Sequence, residues 1–410
     1  MTDWQTKPLS DLCEFQRGLT YAKADEVSIS ENVVLRANNV DLSSNALDLT
    51  DLRFISDSVL VPPDKKLRKD SLLICTASGS KTHLGKVAYI DDDYGYAFGG
   101  FMGQITPVTG INGRYLFHAL TSPAYKDFIA ALSDGANINN LKFSDLRQFL
   151  VSVPSLEEQQ RIVAILDEAF EGITTAKANA DKNLQNAREL FASRAQVLLA
   201  ENAEWERVQL SELMARGWIT SHLDGNHGSD YPRKEEFVDS GVPYIAASAI
   251  RNGIVDFDHA KYLSPARATS IRKGRAKNRD VLFAHNATVG PVAVLETDQE
   301  FVILGTSLTY YRCNDQHIRP EYLAHFMLSP QFTSQYSQVM KQSTRNQVPI
   351  TMQRSFIHVI PPIAVQHEIA DDLDELAAHS ERLMSVFERK LSALAELKAS
   401  LLHQVFSGQL

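Results

Sequence analysis

The stretch VPSLEEQQRIVAIL, Val153–Leu166, opens a long helical pattern directly after a proline. Proline at this place can end a strand or start a helix without breaking it. The stretch IPPIAVQHEIADDL, Ile360–Leu373, has the same form near the end of the chain. The sequence therefore predicts two long helices, one central and one carboxy-terminal.

Apolar residues recur along both patterns at alternating spacings of four and three, which is typical of a coiled-coil seam. The first stripe is rich in alanine and the second in leucine and phenylalanine, so we expect the two helices to pair with each other. At 1.5 Å per residue the first helix is about 65 Å long. Two amphipathic helices folded onto separate domain cores remain the alternative. The predicted seam residues are Ile162, Leu166, Ile173 and Leu190 in the first helix and Ile369, Leu373, Leu376, Leu383, Leu394 and Leu401 in the second.

The second half of the chain repeats the first. Tyr115 and Gln159 have identical partners 207 positions later, Tyr322 and Gln366. Near the start of each half the separation is 201, where DWQTKPLSDL matches EWERVQLSEL. A tandem duplication of about 200 residues explains these matches, and two copies favour a two-part body over a solenoid.

Each half combines strands with short helices. Runs such as LLICTA and DVLFAH predict strands, whereas GRYLFHALTSPAYKDFIAAL and PEYLAHFMLSPQFTSQYSQVM predict helices. The predicted fold class is therefore α+β, with two pseudo-repeated α/β domains separated by two long antiparallel helices that form a coiled coil. The predicted boundaries are 1–153 and 203–359 for the two domains, 154–202 for the central helix and 360–410 for the carboxy-terminal helix.

Composition limits the class of protein. The 410 residues exceed one ordinary core, and no run of 18 apolar residues or secretory signal is present, so we expect a cytoplasmic protein. Cys13, Cys75 and Cys313 form no C-x-x-C pair, which favours reduced, buried thiols. The net charge of -9 does not exclude a nucleic-acid partner, because residues 205–358 carry 17 basic and 15 acidic side chains.

No catalytic constellation is recognisable. GSKTHLGKV imitates a phosphate-binding loop, but valine follows the lysine where a magnesium-binding hydroxyl is required. The Pro-Pro pairs do not fit the motif of adenine methyltransferases, and the histidines lack the spacing of a metal site or a triad. We therefore expect no catalytic residue and no metal in this chain.

Basic segments indicate contacts to phosphates. RATSIRKGRAKNR, residues 267–279, contains six cations and no acid, and PPDKKLRKDS occupies the corresponding place in the first half. A solvated hairpin tip is the alternative for each segment alone. The predicted DNA-binding residues here are Lys65, Lys66, Arg68, Lys69, Arg267, Arg272, Lys273, Arg275, Lys277 and Arg279.

Two further pairs of matched loops carry side chains suited to base edges. Asparagine and glutamine can bond adenine twice, and arginine or lysine can bond guanine. The matched loops differ in their residues while the flanking positions agree, so the two halves are expected to read different sequences. The predicted residues are Lys81, Thr82, His83, Lys86, Asn137, Asn139 and Asn140 in the first half and His285, Asn286, Arg345, Asn346 and Gln347 in the second.

In their order and duplication these elements resemble the DNA-specificity subunit of type I restriction-modification enzymes. The resemblance covers the whole chain and is carried by WQTKPLSDL and WERVQLSEL, by DVLFAHNATVG, by the helix starts VPSLEEQQRI and IPPIAVQHEI, and by the terminal LKASLLHQVFSGQL. The first half departs from it by reading SGSKTHLGK where the second has HNATVG.

The resemblance implies a non-catalytic subunit. Each domain would read one half of a split, asymmetric double-stranded DNA target, while the paired helices set the spacing and dock two modification subunits. No cofactor is implied in this chain; the modification subunits would bind S-adenosylmethionine and methylate an adenine in each half. Restriction subunits, which translocate and cut DNA, would join through the complex.

Three other functions stay open from the residues alone. The chain could be an orphan or decoy DNA-binding specificity protein, or a coiled-coil adaptor without a DNA role. A methyltransferase with its own active site is the third, and it would require the isolated chain to bind S-adenosylmethionine.

Overall fold

A computed structural model describes residues 4–133, 140–200, 202–225, 231–251, 253–341 and 346–407. The chain divides into two units, one made of residues 1–181 with 388–410 and the other of residues 182–387. Each unit contains one sequence repeat and one part of each long helix. The helices are α1 (Gly113–Ala119), α2 (Pro123–Ser133), α3 (Phe143–Leu146), α4 (Leu156–Leu198), α5 (Leu210–Ala215), α6 (Pro265–Ser270), α7 (Pro320–Leu328), α8 (Pro330–Lys341), α9 (Ile350–Gln353) and α10 (Ile363–Phe406).

The first unit is built on two four-stranded sheets and one strand pair. Its strands are β1 (Gln5–Pro8), β2 (Cys13–Arg17), β3 (Glu26–Val27), β4 (Asn32–Leu35), β5 (Arg53–Ile55), β6 (Leu72–Cys75), β7 (Val87–Tyr89), β8 (Ala97–Phe98), β9 (Met102–Pro107) and β10 (Leu150–Val153). One sheet is antiparallel with the order β2-β9-β6-β7. The other has the order β3-β5-β4-β8 and ends on a parallel pair. Strands β1 and β10 pair antiparallel and bring the start of the chain to the start of α4.

The second unit repeats this topology. Its strands are β11 (Glu206–Gln209), β12 (Ile219–Asp224), β13 (Phe237–Val238), β14 (Val242–Ile245), β15 (Ile250–Arg251), β16 (Ile254–Val255), β17 (Lys261–Leu263), β18 (Arg275–Ala276), β19 (Val281–Asn286), β20 (Thr288–Val294), β21 (Val302–Leu304), β22 (Leu308–Cys313) and β23 (Ile357–Ile360). The orders β12-β22-β19-β20 and β13-β17-β14-β21 match those of the first unit strand for strand. Strand β18 and the pair β15-β16 correspond to single antiparallel bridges in the first unit, Lys66 with Ala97 and Val40 with Leu47. The predicted duplication is therefore confirmed in the sheet topology.

The predicted strands and helices form where the apolar patterns place them. LLICTA contains β6, whose four residues are all buried, and DVLFAH contains most of β19. Each helical pattern after the sheet is divided in two at a Ser-Pro pair, at residues 122–123 and 329–330. Proline causes this division because it lacks the backbone N–H of a continuing helix and restricts the residue before it.

A duplicated tyrosine ties each domain to the strand that leads into its long helix. The hydroxyl of Tyr115 donates to the carbonyl oxygen of Ser152 at 2.6 Å. The hydroxyl of Tyr322 donates to that of Val359 at 2.8 Å. Both rings are buried, so each bond replaces the water that a phenol would otherwise require.

A fully buried glutamine forms a second tie at the start of α4. The Gln159 side-chain oxygen accepts from the backbone N–H of Asn112 at 2.8 Å. Its amide nitrogen donates to the carbonyl oxygens of Pro154 at 3.0 Å and Gly110 at 3.2 Å. Gln159 thus joins the loop before α1 to the first turn of the long helix.

Gln366 repeats this arrangement at the start of α10. Its oxygen accepts from the Arg319 N–H at 3.0 Å, and its nitrogen donates to the carbonyl oxygens of Pro361 and His317, each at 2.9 Å. All three partners are 207 positions beyond those of Gln159. The identities that reveal the repeat in the sequence are therefore the residues that join each domain to its helix.

A histidine and an aspartate form a third duplicated tie. His118 on α1 is hydrogen-bonded through Nε2 to Asp167 on α4 at 2.9 Å. His325 on α7 is bonded in the same way to Asp374 on α10 at 2.7 Å. Each short helix is therefore fixed to a long helix about two turns beyond the glutamine.

In the first unit, α4 and α10 run antiparallel. Ile162 near the start of α4 shares a buried cluster with Leu402 near the end of α10. One step inward, the Lys398 ammonium lies 5.0 Å from the ring centroid of Phe170.

The second unit shows the same antiparallel pairing. Phe191 near the end of α4 packs on the cluster that contains Ile369 and Leu373 of α10. The guanidinium of Arg194 lies 2.9 Å from the Asp372 carboxylate. The predicted pairing of the long helices is confirmed.

The predicted seam is wrong at Leu190 and Leu383, which are 56% and 46% exposed. Phe191 and Met384 are the partly buried residues at these turns. The strict 3.5-residue spacing drifts by about 20° per heptad from a straight helix of 3.6 residues per turn. From Ile162 the inward-facing positions advance 36 residues in ten steps, and the same holds from Ile369. They are Ile162, Leu166, Ala169, Ile173, Ala176, Ala180, Leu184, Ala187, Phe191, Ala195 and Leu198 in α4, and Ile369, Leu373, Leu376, Ser380, Met384, Phe387, Leu391, Leu394, Lys398, Leu402 and Val405 in α10.

The cysteines are free thiols, with Cys13 and Cys75 buried and Cys313 partly buried. Burial raises the pKa of Cys13 to about 12, so this thiol stays protonated at neutral pH. Within the described ranges, no helix combines the length and the apolar character needed to span a bilayer.

Candidate nucleic-acid interface

Two loops that are distant in sequence meet at one sheet in each unit. In the second unit Asn286 at the end of β19 forms a β-bridge with Gln347. The Ala287 N–H donates to the carbonyl oxygen of Asn346 at 3.0 Å, and the Val348 N–H donates to that of His285 at 2.8 Å. The sequence predicts both loops as base-reading segments, and the structure joins them into one surface.

The first unit has the corresponding junction. Ala77 after β6 forms a β-bridge with Asn140, and the Leu141 N–H donates to the Thr76 carbonyl oxygen at 2.7 Å. The predicted loops are again adjacent. The same scaffold therefore presents different side chains in the two units.

Several predicted polar residues are accessible at these junctions. Asn140 and Thr82 are exposed, and Asn286, Gln347 and His83 are partly buried. Asn346 is exposed but its amide donates to the Ala287 carbonyl oxygen, so it also holds the two loops together. Asn137, Asn139 and Arg345, and the side chain of Lys81, lie outside the described residues.

Two predicted DNA contacts are wrong because the side chains are interior. Lys86 is 7% exposed, and its ammonium donates to the Val40 carbonyl oxygen at 2.6 Å and lies 3.1 Å from His83 Nδ1. Burial lowers the pKa of Lys86. His285 is 2% exposed, and its Nδ1 is bonded to the Val348 carbonyl oxygen at 3.0 Å. Both residues support the loops from beneath.

The basic segment 267–279 contains two arginines that stabilise their own surroundings. Arg267 donates through Nε to the Glu236 carboxylate at 2.6 Å. Arg275 donates through Nε to the Ile271 carbonyl oxygen at 2.6 Å and lies 4.7 Å from the Phe301 ring centroid. Contrary to the prediction that they contact phosphates, both guanidiniums bind groups of the second unit itself.

The remaining cations of this segment differ in whether acidic side chains compensate their charge. Arg279 forms two hydrogen bonds with the Glu321 carboxylate, at 2.8 and 3.2 Å, and lies 3.4 Å from Asp315. Its charge is therefore compensated within the fold. Arg272, Lys273 and Lys277 are exposed.

The basic segment of the first unit is mostly accessible. Lys66, Arg68 and Lys69 are exposed. Lys65 is partly buried, and its ammonium donates to the Arg17 carbonyl oxygen at 3.0 Å and lies 3.6 Å from Asp64. Lys65 therefore lies beside the end of β2.

A buried polar network holds the second unit's loop junction. The side-chain oxygen of Gln353 lies within hydrogen-bonding distance of His222 Nε2, Thr309 Oγ1 and Tyr311 OH, at 3.1, 3.0 and 3.1 Å. Its nitrogen donates to the Val348 carbonyl oxygen at 3.2 Å. The junction is therefore anchored to the sheet by side chains that the sequence pattern does not single out.

Two histidines near this network are uncharged at neutral pH. Burial lowers the pKa of His222 to about 4, and a hydrogen bond with Gln353 opposes that shift. Burial likewise lowers the pKa of His358 to about 4. Their neutrality keeps the network intact without a buried charge.

Two exposed arginines lie outside the predicted set. Arg147 and Arg354 are 207 positions apart and both follow the short helix beside the loop junction. Their carbonyl oxygens accept from the N–H groups of Ser10 and Ser211, at 3.2 and 2.9 Å. The same separation of 207 positions relates other identical residues of the two halves, so it could have revealed this repeated arginine in the sequence.

The arrangement offers cations and amides on a rigid edge, which suits contacts to phosphates and base edges. Among the residues that the structure describes, no group of three or more His, Cys, Asp or Glu side chains is placed to hold a metal ion.

Comparison with known proteins agrees with the duplicated architecture. A family model for the type I restriction modification DNA specificity domain matches residues 1–184 and 202–385. The type I restriction enzyme EcoKI specificity subunit of Escherichia coli (strain K12) is 26% identical, over 99% of this chain and 89% of its own length. The StySPI specificity subunit of Salmonella potsdam is 32% identical over 44% of this chain and 39% of its own length.

Two solved structures share the fold. A chain in a structure of the type I R-M system, which addresses its complex assembly and conformational transition, has a TM-score of 0.75 at 18% identity and covers 99% of this chain and 98% of its own. The HsdS subunit from Thermoanaerobacter tengcongensis has a TM-score of 0.57 at 16% identity and covers 99% and 97%.

Proposed function

Because the chain belongs to the type I restriction-modification DNA specificity family, we propose that each of its two repeats reads one half of a bipartite, asymmetric DNA target. The paired helices α4 and α10 set the spacing between the halves. The chain is a non-catalytic subunit, and it acts in the cytoplasm on double-stranded DNA.

The observation that carries this proposal is the repeated loop junction. The same sheet edge joins Ala77 to Asn140 in one unit and Asn286 to Gln347 in the other. Asparagine and glutamine amides can read adenine, whereas alanine cannot form such bonds. An identical scaffold with different side chains suits two readers of different sequence.

The duplicated helix ties support the proposed partners. Each domain is fixed to a long helix by the same tyrosine, glutamine and histidine-aspartate contacts. A repeated surface can receive two copies of one partner. We propose that these partners are two modification subunits, which bind S-adenosylmethionine and methylate adenine, and that restriction subunits join through them.

The experiment that tests this function is a methylation map. The chain is combined with modification subunits and S-adenosylmethionine, and adenine methylation is mapped on random-sequence DNA. We expect two different half-sites at one fixed separation. A single contiguous site, or no methylated site that depends on this chain, would contradict the proposal.

Removing the exposed cations of segment 267–279 should weaken DNA binding by the assembled complex. We expect Arg272→Gln, Lys273→Gln and Lys277→Gln together to lower affinity about tenfold or more, because each phosphate contact adds roughly 0.9 to the slope of log affinity against log salt concentration. Filter binding or fluorescence anisotropy at several salt concentrations measures both quantities.

A matched control removes three exposed cations from another part of the same unit, at Arg233, Lys234 and Arg251. This control should leave the salt slope unchanged. If both triple variants behave alike, the loop is not part of the interface. If the assembled complex does not bind DNA at all, a coiled-coil adaptor becomes the better description.

A further inference from the structure

Two phenylalanine rings lie between two arginine side chains on one face of the first unit's sheet. The Arg17 guanidinium lies 5.5 Å from the ring centroid of Phe143, and Phe143 lies 5.3 Å from Phe15. The Arg147 guanidinium in turn lies 5.4 Å from the Phe15 ring centroid. Both arginines are exposed, and both rings are partly buried. Cation–π contacts hold these two charges in place above the sheet.

A glycine makes room for this row. Gly103 on β9 pairs with Arg17 on β2. A Cβ atom at Gly103 would lie 2.6 Å from Phe143 Cζ, so only glycine allows the ring to lie this close to the strand. Lys142 precedes that ring and is exposed. The row therefore adds a third accessible cation beside the loop junction.

Phe101 projects from the same end of the sheet. It is 73% exposed, although its backbone is firmly held. Its carbonyl oxygen accepts from the Thr76 N–H and hydroxyl, both at 2.9 Å, and from the Ala77 N–H at 3.1 Å. The backbone that carries this exposed aromatic ring is thus held directly beside the Ala77–Asn140 bridge.

The second unit has different chemistry at the position of Phe101. Ser307 precedes β22 as Phe101 precedes β9, and its carbonyl oxygen accepts from the His285 N–H at 2.9 Å. Its hydroxyl accepts from the Ala247 N–H at 3.1 Å. A small side chain that bonds inward therefore replaces the exposed ring.

The position of Arg17 differs in the same way. Gly18 follows Arg17, and its N–H donates to the Met102 carbonyl oxygen at 3.1 Å. Gly225 follows Asp224, and its N–H donates to the Leu308 carbonyl oxygen at 2.8 Å. Asp224 is therefore the counterpart of Arg17, and the charge at this strand end is reversed between the units.

We propose that Phe101 contacts base edges in the half-site read by the first unit, and that Arg17 and Lys142 contact the flanking phosphates. This inference rests on the proposed function and adds residues that belong to one half-site alone. A phenyl ring suits the apolar edge of a base, such as the thymine methyl group in the major groove. Arginine and lysine beside it supply charge that does not depend on sequence.

The test of Phe101 uses the complete chain with its modification subunits and a DNA library randomised within both half-sites. Phe101→Ser introduces the residue of the second unit. We expect discrimination to fall about tenfold or more at one or two base pairs of a single half-site, with the other half-site and the salt slope unchanged. The control is Ile29→Ser, because Ile29 is 79% exposed in the loop between β3 and β4 of the same unit.

The test of the cations uses Arg17→Gln and Lys142→Gln. Each should weaken binding to all sequences to a similar extent and reduce the salt slope by about one. Arg17→Lys keeps the charge and should retain the wild-type slope. Thermal unfolding of each variant confirms that the fold is intact.

The outcomes separate this inference from the function on which it rests. If Phe101→Ser alters both half-sites equally, or alters neither while the wild-type complex reads a bipartite target, Phe101 is not a base contact and the proposed function stands. If the wild-type complex reads no bipartite target, the proposed function fails and this inference fails with it.

Discussion

Replacing Gln159 with leucine lowers the free energy of unfolding of the first unit by about 3 kcal/mol. The leucine removes the partner of one buried N–H and of two carbonyl oxygens at the start of α4. Leaving a buried polar group without a partner costs about 1–3 kcal/mol. Urea unfolding followed by circular dichroism and tryptophan fluorescence measures the change.

The neighbouring residue supplies the control. Gln160 is exposed on the same turn, so Gln160→Leu should change stability by less than about 0.5 kcal/mol. Gln366→Leu should reproduce the Gln159 effect in the second unit, since its three bonds are the same. Equal unfolding midpoints for Gln159→Leu and Gln160→Leu would show that the buried glutamine does not hold the domain on its helix.

Lowering the pH from 7 towards 4 destabilises the second unit by several kcal/mol. The ordinary histidine pKa is 6.5, and burial lowers the pKa of both His222 and His358 to about 4. The unfolded chain therefore takes up protons first as the pH falls. Stability is complete above about pH 6.5 and is lost between 6.5 and 4, by on the order of 3 kcal/mol for each histidine.

The surroundings of the two rings explain why neither gains a proton easily. His222 lies 4.5 Å from the Tyr311 ring, and Arg354 and His285 further oppose its charge while Asp224 favours it. His358 packs against aromatic rings, and its Nδ1 lies 3.1 Å from the carbonyl oxygen of Phe356.

Urea unfolding at a series of pH values between 7 and 4.5 measures this effect. His358→Phe keeps an aromatic ring but cannot take up a proton, so it should remove about half of the loss. His379→Gln, at an exposed position of the same unit, is the matched control. If His358→Phe and the wild-type protein lose stability in parallel, titration of this residue does not cause the loss.

The sequence was most informative where one residue has both a local and a long-range role. Tyr115 and Gln159 each lie near the start of a helix that follows a strand, and each bonds another segment of its unit. Their exact partners 207 positions later could therefore reveal both the repeat and its main elements. The heptad count failed further along, at Leu190, because it ignores how a straight helix drifts from a strict seven-residue period.

The candidate site was less predictable because residue type does not determine burial. Lys86 and His285 have suitable chemistry for DNA but point inward, and Arg275 binds its own loop. The pairing of Ala77 with Asn140 depends on long-range strand order, which local patterns do not encode. Phe101 follows two glycines and belongs to no periodic apolar pattern, so only the structure reveals that its ring is exposed.

The two units also differ in how they can be completed on the ribosome. The second is one continuous segment, residues 182–387, whereas the first needs residues 388–410 in addition to residues 1–181. Leu402 and Val405, which are buried in the first unit's core, are synthesised after the whole of the second unit. The first unit therefore keeps part of its apolar surface uncovered until residues 388–410 have been translated, whereas the second unit can complete its fold before them.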